Sequence, residues 1–246
     1  MALHDVTSQR LFVTGGLQSG AALELAEEQA HYLVNVLRMK PGDTLRVFNG
    51  RDGEWQARIA TAKKRAATLT LDFQTRPQTP GPDIDYLFAP LKHARLDYMV
   101  QKAAELGVKR LRPVLTRRTT PERVNLVRMR ANAIEAAAQC GVMWVPEVLV
   151  PEPLTKVIAT WDGARPLIFC DEGSESKNPL AALKQIAPGP VAVLIGPEGG
   201  FDERERQLLR AQEFVVVLSL GDRIMRADTA AVAVLALVNA TIGDWR

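Results

Sequence analysis

Residue types that bind metals or carry redox chemistry are scarce in this 246-residue chain. It contains two cysteines, Cys140 and Cys170, and three histidines scattered at His4, His31 and His93. No second cysteine pair or histidine cluster completes the four-ligand pattern of a zinc site, and no histidine belongs to a catalytic triad pattern. The sequence therefore predicts no metal. We interpret both cysteines as buried free thiols of a protein from a reducing compartment.

Long apolar segments are also absent. No run approaches the roughly 20 residues that span a bilayer, and the opening residues MALHDVTSQR lack the charged start and apolar stretch of a signal peptide. The chain is 47% hydrophobic and 24% charged, a composition typical of globular proteins rather than disordered ones. We expect a soluble cytoplasmic protein with a packed core and no membrane partner.

Positive charge is small in total but concentrated in the middle of the chain. The net charge is +3, yet residues 92–130 hold eleven Lys or Arg against three acids, a local excess of +8. Residues 131–246 hold ten against fifteen. Any single charge in such a run is most often part of a solvated face. As a group, the excess predicts contacts with nucleic-acid phosphates.

The first 75 residues predict a small β-rich domain. Trp55, Ala57 and Ile59 alternate with polar residues, and so do the apolar positions of residues 69–73. The turn cluster NGRDG at residues 49–53 is typical of a hairpin connection. Apolar residues at helical spacing over residues 30–37 predict one helix. Three prolines in residues 76–83 then predict a linker, because proline cannot continue a sheet interior.

From residue 84 onward, short apolar runs alternate with helical patterns. Two predicted helices, residues 95–106 and 121–140, are followed by Gly107 and Gly141, the residue expected just past a helix end. Repeated βα units imply a parallel sheet covered by helices, so the fold class is α/β. The predicted strands are Tyr86–Ala89, Leu111–Leu115, Leu167–Cys170, Val191–Ile195 and Phe214–Leu218.

The segment VAVLIGPEGGFDERE, residues 191–205, runs from an apolar strand through a glycine-rich loop into a charged helix. Ligands of α/β sheets bind at the carboxyl ends of strands, where glycines let the backbone approach them. The loop is neither a Walker loop nor a GxGxxG motif. Spacing alone favours a ligand loop and a tight turn with Asp202 as N-cap about equally.

A second segment, VVVLSLGDRIMRADTAAVAVLAL at residues 215–237, places polar residues directly before an alanine-rich helix that must be buried. Asp228 or Thr229 could cap that helix, and capping is the favoured interpretation of Asp228. Arg226 is different, because a charge at the mouth of a buried helix needs a partner. We therefore predict a site role for Arg226.

Together these segments resemble the RsmE-type 16S ribosomal RNA (uridine-N3) methyltransferases of the SPOUT superfamily. The resemblance covers most of the chain, and the pairing of its two late motifs is highly specific. The motifs that carry it are RLFV at 10–13, HYLVNVLRMKPGD at 31–43, KHARLDYMVQKAAELGV at 92–108, LIGPEGGF at 194–201 and LGDRIMRADTAAVAVLAL at 220–237.

The resemblance implies a two-domain homodimer that acts on the small ribosomal subunit. Residues 1–75 would form a PUA-like β-barrel that binds RNA. Residues 84–246 would form a SPOUT domain whose trefoil knot, in about residues 166–240, holds S-adenosylmethionine, with no metal. Pattern analysis does not predict a knot, because threaded chains are rare.

Methyl transfer to uridine N3 places negative charge on the target uracil. Arg226 is our first candidate for stabilising that charge, and Arg10 is our second. Glu198 is assigned to positioning ahead of base catalysis. The residues assigned to the cofactor are Ile195, Gly196, Pro197, Glu198, Gly199, Gly200, Leu218, Ser219, Leu220, Gly221, Ile224, Met225, Arg226, Ala227 and Thr229. The residues assigned to RNA are Arg10, Arg38, Lys92, Arg95, Lys102, Arg117, Arg118 and Arg123.

The chain departs from the family pattern at two places. Residues 142–144 read Val-Met-Trp where the family commonly has an arginine, so Arg128 and Arg130 become candidates for that RNA contact. Asp228 stands where Glu is more usual, which keeps the charge. Two other functions compete with the methyltransferase interpretation. A non-catalytic ribosome-assembly factor leaves the LIGPEGGF loop without a role, and a dinucleotide-dependent enzyme conflicts with the missing GxGxxG motif.

Overall fold

The computed structural model describes residues 9–120, 123–173 and 178–245. His4, the side chain of His93 and the predicted helix start at Pro121 lie outside the described residues. The chain forms two compact units. Unit 1 contains the described residues up to Pro80 together with residues 137–144, and unit 2 contains residues 81–136 and 145 onward. No pattern in the sequence indicated that residues 137–144 belong with unit 1.

Unit 1 is built on a five-stranded sheet in the order β1-β3-β4-β5-β2. The predicted hairpin is confirmed: β3 and β4 pair antiparallel, and Asn49 Oδ1 in the turn accepts hydrogen bonds from two backbone amides at 3.0 and 2.9 Å. The strands are β1 (Arg10–Phe12), β2 (Ala22–Glu24), β3 (Thr44–Phe48), β4 (Glu54–Lys63) and β5 (Ala66–Arg76).

The alternation of β5 holds only in part. Leu69 and Leu71 are buried, but Phe73 is 56% exposed. The pairing with β4 shifts between Gln56–Phe73 and Ala57–Leu71. The extra residue, Asp72, forms a bulge, and a slip of one position turns later side chains to the other face.

Helix α1 (Glu27–His31) continues into a π-helical turn at Tyr32–Val36. Of the predicted apolar stripe, Ala30 and Leu33 are buried in the core of unit 1. Arg38 follows with a φ of 57°, a conformation that few residues other than glycine adopt.

Unit 2 contains a parallel sheet in the order β12-β10-β11-β6-β7-β8, with β9 paired to β7. All five predicted strands are present, within two residues of their predicted bounds, and the predicted α/β class is confirmed. The strands are β6 (Ile84–Phe88), β7 (Arg110–Leu115), β8 (Glu147–Val148), β9 (Glu152–Pro153), β10 (Leu167–Cys170), β11 (Val191–Ile195) and β12 (Val215–Leu218).

Glycine follows both predicted helices in the left-handed region, Gly107 at φ 80° and Gly141 at φ 73°. The second of these helices begins at Leu126. Within the described ranges, no helix is both long and apolar enough to cross a membrane. The helices are α2 (His93–Glu105), α3 (Leu126–Gln139), α4 (Leu154–Ala159), α5 (Pro179–Leu183), α6 (Glu203–Arg210) and α7 (Ala227–Thr241).

Both faces of the unit 2 sheet are buried, as expected for a parallel sheet. Alternate strand residues face two cores. One core joins Tyr86, Ile168 and Val193 to helices α2, α3, α5 and α7. The other joins their neighbours Leu87, Phe169 and Leu194 to α4 and α6. The carboxyl ends of β10, β11 and β12 remain at one edge, and the chain leaves them through glycine-rich or polar segments.

Candidate functional site

A cavity of about 570 Å³ opens at the carboxyl ends of three neighbouring parallel strands, β10, β11 and β12. All of its lining residues belong to unit 2. Ligands of open α/β sheets bind at this edge, and the volume is typical of a small-molecule site. The cavity is therefore the candidate functional site.

The structure brings the two predicted glycine segments together on this cavity. Among the fifteen residues assigned to the cofactor, only Gly199 and Thr229 do not line it. The carbonyl oxygen of Gly199 instead accepts a hydrogen bond of 2.7 Å from Arg118, and Thr229 lies exposed in the first turn of α7.

A third segment lines the cavity and was missed by the sequence analysis. Cys170 is the last residue of β10, and Asp171 and Glu172 follow it directly. The signal was available: Leu167–Cys170 was predicted as a strand, and the residues after any such strand are candidates by the strand-end rule. The acidic pair at this strand end has no neighbouring glycine pair, so its pattern did not indicate a ligand loop.

Both interpretations of the first glycine loop hold at once. Asp202 is the N-cap of α6 and forms a capping box with Glu205, so the loop is a tight turn. Its backbone also lines the cavity. Gly196 is required by packing, since a Cβ there would lie 2.4 Å from the ring of Phe201. Gly200 has a φ of 68°.

The second loop exposes backbone and apolar side chains to the cavity. Gly221 has a φ of 103°, and nothing lies within 4 Å of where its Cβ would stand. Ser219 Oγ accepts a hydrogen bond of 3.3 Å from the Gly221 amide. Leu218 is buried, whereas Ile224 is 86% exposed. This loop offers a ligand an apolar surface and accessible backbone groups.

Arg95 of α2 connects the two loops. Its guanidinium donates two hydrogen bonds to the Asp228 carboxylate, at 3.0 and 2.9 Å, and also pairs with Glu198. Hydrogen bonding between the two side chains raises the pKa of Arg95 and lowers the pKa of Asp228. The prediction that Asp228 is the cap of α7 is wrong. The N-cap position belongs to Arg226, and Asp228 anchors Arg95.

Asp171 holds the other side of the cavity. Its side chain is 1% exposed and pairs with Arg206 at 3.4 Å and with Arg210 at 2.7 Å. Glu172 pairs with Arg206 at 3.2 Å. Two arginines of α6 thus fix the end of β10 against the helix that follows the first glycine loop.

Arg223 and Arg226 complete the lining, and both are exposed. Neither side chain has an ion-pair partner within the described ranges. A guanidinium at a cavity that has no carboxylate partner of its own is available for an anionic group of a ligand or substrate.

Arg10, our second candidate for contact with the substrate, lies elsewhere. In unit 1 its side chain is 9% exposed and pairs with the buried Glu54 at 2.6 Å. It also donates to the carbonyl oxygens of Ala137 and Ala138, at 2.7 and 2.8 Å, in the last turn of α3. Burial lowers the pKa of Arg10. These contacts correct the prediction, since all three nitrogens of this guanidinium already donate hydrogen bonds within unit 1.

Several residues assigned to RNA also have partners within the chain. Arg95 is described above, and Lys102 bonds to Glu105 at 2.8 Å. Arg117 pairs with Asp202 at 2.8 Å, and Arg118 bonds to Gly199. These last two brace the first glycine loop. Lys92, Arg123 and Arg38 are exposed without an ion pair among the described residues.

The local excess of +8 is therefore partly neutralised by acids from outside that segment. Arg110 pairs with Asp83 and Asp85, and Arg112 with Asp85 at 3.2 Å. Within the segment, Arg128, a substitute candidate for the family's missing arginine, pairs with Asp97 at 2.6 Å. The other substitute, Arg130, is exposed.

Neither cysteine forms a disulfide in the part of the chain that the structure describes, as predicted, but the two are not both buried. Cys140 is exposed, and Cys170 lines the cavity. Burial of its thiol raises the pKa of Cys170 to about 12. The thiol is therefore neutral near pH 7 and is a poor nucleophile. Among the described residues, no group of three or more His, Cys, Asp or Glu could hold a metal ion.

Comparison with known families matches residues 78–239 to the RNA methyltransferase domain and residues 25–72 to the RNA methyltransferase PUA domain. Two curated relatives are named ribosomal RNA small subunit methyltransferase E. The protein from Synechocystis is 32% identical over 96% of this chain and 79% of its own. The protein from Rickettsia conorii is 29% identical over 93% and 94%.

Two solved structures share the whole fold. One is a ribosomal RNA small subunit methyltransferase E from Neisseria gonorrhoeae bound to S-adenosylmethionine, with a TM-score of 0.86 and 26% identity over 97% of this chain and 100% of that one. The other is a methyltransferase from Legionella pneumophila in complex with the same cofactor, with a TM-score of 0.83 and 30% identity over 95% and 97%.

Proposed function

From the premise that the chain belongs to the ribosomal RNA small subunit methyltransferase E family, we propose that it methylates N3 of a uridine in 16S ribosomal RNA. It is an S-adenosylmethionine-dependent ribosomal RNA methyltransferase. The observation that carries the proposal is the cavity at the ends of β10, β11 and β12, which both family motifs line.

The residues of the cavity fit S-adenosylmethionine. Leu218, Leu220 and Ile224 provide an apolar surface for the adenine ring. The open backbone at Gly221 can approach polar groups of the ligand. The cavity also offers both signs of charge to a ligand that has an ammonium, a sulfonium and a carboxylate. The charged residues that line it are Arg95, Asp171, Glu172, Glu198, Arg206, Arg223 and Arg226.

When bound, the cofactor supplies a methyl group that is already activated by its positive sulfur. The chain's own task is to hold the uracil ring in line and to favour the form without a proton on N3. We assign Arg226 to this second task, because its guanidinium faces the cavity and no carboxylate of the described chain neutralises it. It would stabilise the negative charge that spreads from N3 to the neighbouring carbonyl oxygens.

Glu198 is assigned to positioning. Its carboxylate pairs with Arg95, which Asp228 holds in turn. A guanidinium stabilises the ionised form of its carboxylate partner, so this pairing favours a positioning role for Glu198 over that of a general base. The row of ion pairs Glu198–Arg95–Asp228 therefore fixes the first glycine loop relative to the start of α7. The loop and the start of the helix line the same cavity.

RNA affinity is proposed to come from unit 1, whose residues 25–72 match the PUA domain, and from the exposed cations Arg38, Lys92 and Arg123. We further propose that the protein works as a homodimer, that residues of about 166–240 form the trefoil knot of the superfamily, and that it acts in the cytoplasm, where small-subunit RNA is assembled. The fold and the family membership support these proposals.

The test combines binding and mapping. Titration calorimetry with S-adenosylmethionine should show one site per chain, and NADH should not bind. Small-subunit RNA from cells lacking the protein, treated with purified protein and cofactor, should gain N3-methyluridine by mass spectrometry of its nucleosides. Absence of cofactor binding would refute the enzyme assignment. A methyl group on another atom or base would refute the uridine-N3 proposal alone.

A further inference from the structure

A second concave site lies on α2 and α3, apart from the cofactor cavity. It has a volume of about 570 Å³ and is lined by residues of the segments 91–97 and 123–129. We propose that it binds one nucleotide of the RNA substrate that flanks the target uridine, with its base on the apolar floor and its phosphate at the cationic rim. This inference rests on the proposed RNA methyltransferase function.

The floor of this second cavity is apolar and suits the face of a base. Leu91 and Met129 are 4% and 1% exposed, and Leu96 packs beside them on the same core. Nucleobases that leave a stack are held between aromatic or apolar side chains. The flexible thioether of Met129 can adapt to either a purine or a pyrimidine.

The rim is cationic and suits a phosphate. Lys92, Arg123 and Arg128 line the cavity with one acid, Asp97. Asp97 is already bound by Arg128, through Nε at 3.0 Å and Nη2 at 2.6 Å. The four groups leave a net charge of +2, and Lys92 and Arg123 are the cations without a carboxylate partner among the described residues. One phosphodiester group of RNA, which carries a single negative charge, would neutralise half of this charge.

The position of the second cavity relates it to the reaction. Consecutive residues of α2 divide between the two cavities: Arg95 lines the cofactor site, while Leu96 and Asp97 line the second one. A helix is about 10 Å across with its side chains, so the two sites lie on neighbouring faces of a single helical turn. A single strand with splayed bases can place the target in one and a neighbouring nucleotide in the other.

A second copy of the chain is the less favoured occupant. A protein surface that covered Lys92 and Arg123 would have to supply carboxylates for them, because burial of unpaired cations is costly. RNA supplies a phosphate at every nucleotide. The site would therefore act on substrate binding and register, separately from cofactor binding.

The test uses the full-length protein saturated with S-adenosylmethionine and a fluorescent single-stranded oligouridylate. The double variant Lys92→Glu/Arg123→Glu should bind the oligonucleotide at least about tenfold more weakly, and the slope of log affinity against log salt should fall by about 0.7 for each phosphate that the variant no longer binds. On small-subunit RNA the KM should rise while kcat and cofactor affinity stay unchanged. Lys92→Arg/Arg123→Lys should restore binding.

The matched control is Lys184→Glu/Arg204→Glu, which makes the same charge change at exposed residues of unit 2 that line neither cavity. Equal weakening in test and control variants would overturn the proposal, since only the total charge would matter. A change of sedimentation coefficient in the test variant with unchanged RNA affinity would identify a second copy as the occupant and also overturn it. Failure of the wild type to methylate RNA would instead refute the proposed function.

Discussion

Arg10 in unit 1 and Arg226 in unit 2 were predicted for the same task, and the structure places them in opposite environments. Arg10 is 9% exposed, bound to Glu54 and to the end of α3. Arg226 is exposed at a cavity with no ion-pair partner in the described chain. The presence of an arginine in a family motif therefore does not decide between a structural role and contact with the substrate. What separates the two arginines in the structure is whether the N–H groups of the guanidinium are already bound within the protein.

The largest effect should come from Arg10→Ala. Its removal leaves the carboxylate of Glu54 buried with weaker partners and removes a cation from the carbonyl end of α3. Breaking a buried ion pair costs about 3–5 kcal/mol. Urea unfolding should show this decrease in the free energy of unfolding. The control Arg58→Ala, at an exposed pair with Asp72 in the same unit, should cost less than about 1 kcal/mol.

A small stability change in Arg10→Ala combined with a large fall in kcat would reverse the comparison, because it would place Arg10 in the chemistry. Replacement of both partners, Arg10→Met with Glu54→Leu, should recover part of the stability, since an apolar pair leaves no unpaired buried charge.

Arg226→Ala should have the opposite profile. Removal of a cation that stabilises charge in the transition state lowers kcat by about 10²–10³-fold, and thermal unfolding should be unchanged because the side chain is exposed. Single-turnover methylation and cofactor titration measure the two parts. Arg204→Ala is the control for the removal of one exposed charge in unit 2. Near wild-type turnover with intact cofactor affinity would remove Arg226 from the chemistry.

A smaller effect is expected from Asp228→Asn, which weakens the hold on Arg95. The pKa of Asp228 is lowered in the folded protein, so its ionised form adds stability above its ordinary pKa near 3.9. That stability is lost as the pH falls through the lowered value. The variant should melt about 2–4 °C lower at pH 7. The difference should close as the pH falls below about 4. A difference independent of pH would refute the ionic anchor.

The smallest effect concerns the two thiols. Cys140, in unit 1, is exposed, and the pKa of Cys170, in unit 2, is raised to about 12 by burial. Iodoacetamide at pH 8 should therefore modify Cys140 and leave Cys170 intact in peptide mapping. Saturation with S-adenosylmethionine should leave this pattern unchanged. Rapid labelling of Cys170 would contradict this expectation, because it would show that solvent reaches its thiol in the cofactor cavity.

Local sequence patterns were sufficient to locate much of unit 2. Five of the seven strands described in unit 2 were located because each is a short apolar run bounded by turn residues. Two of the segments that line the cavity were located because glycine follows those strands. Phe73 marks the limit of this method. Its alternation was correct in sequence, but a bulge at Asp72 reversed its face, and a bulge depends on the partner strand.

The sequence by itself determined the α/β class, two of the segments that line the cavity and the family of the protein, because periodicity, glycine positions and motifs are local properties of the chain. Only the tertiary structure decided which charges are already paired. Arg95 and Asp228 are 133 positions apart, and Arg10 and Ala137 are 127 apart. Contacts of that separation depend on how the sheet and helices assemble, so no local pattern distinguishes an arginine held inside the fold from one that is exposed at the cavity.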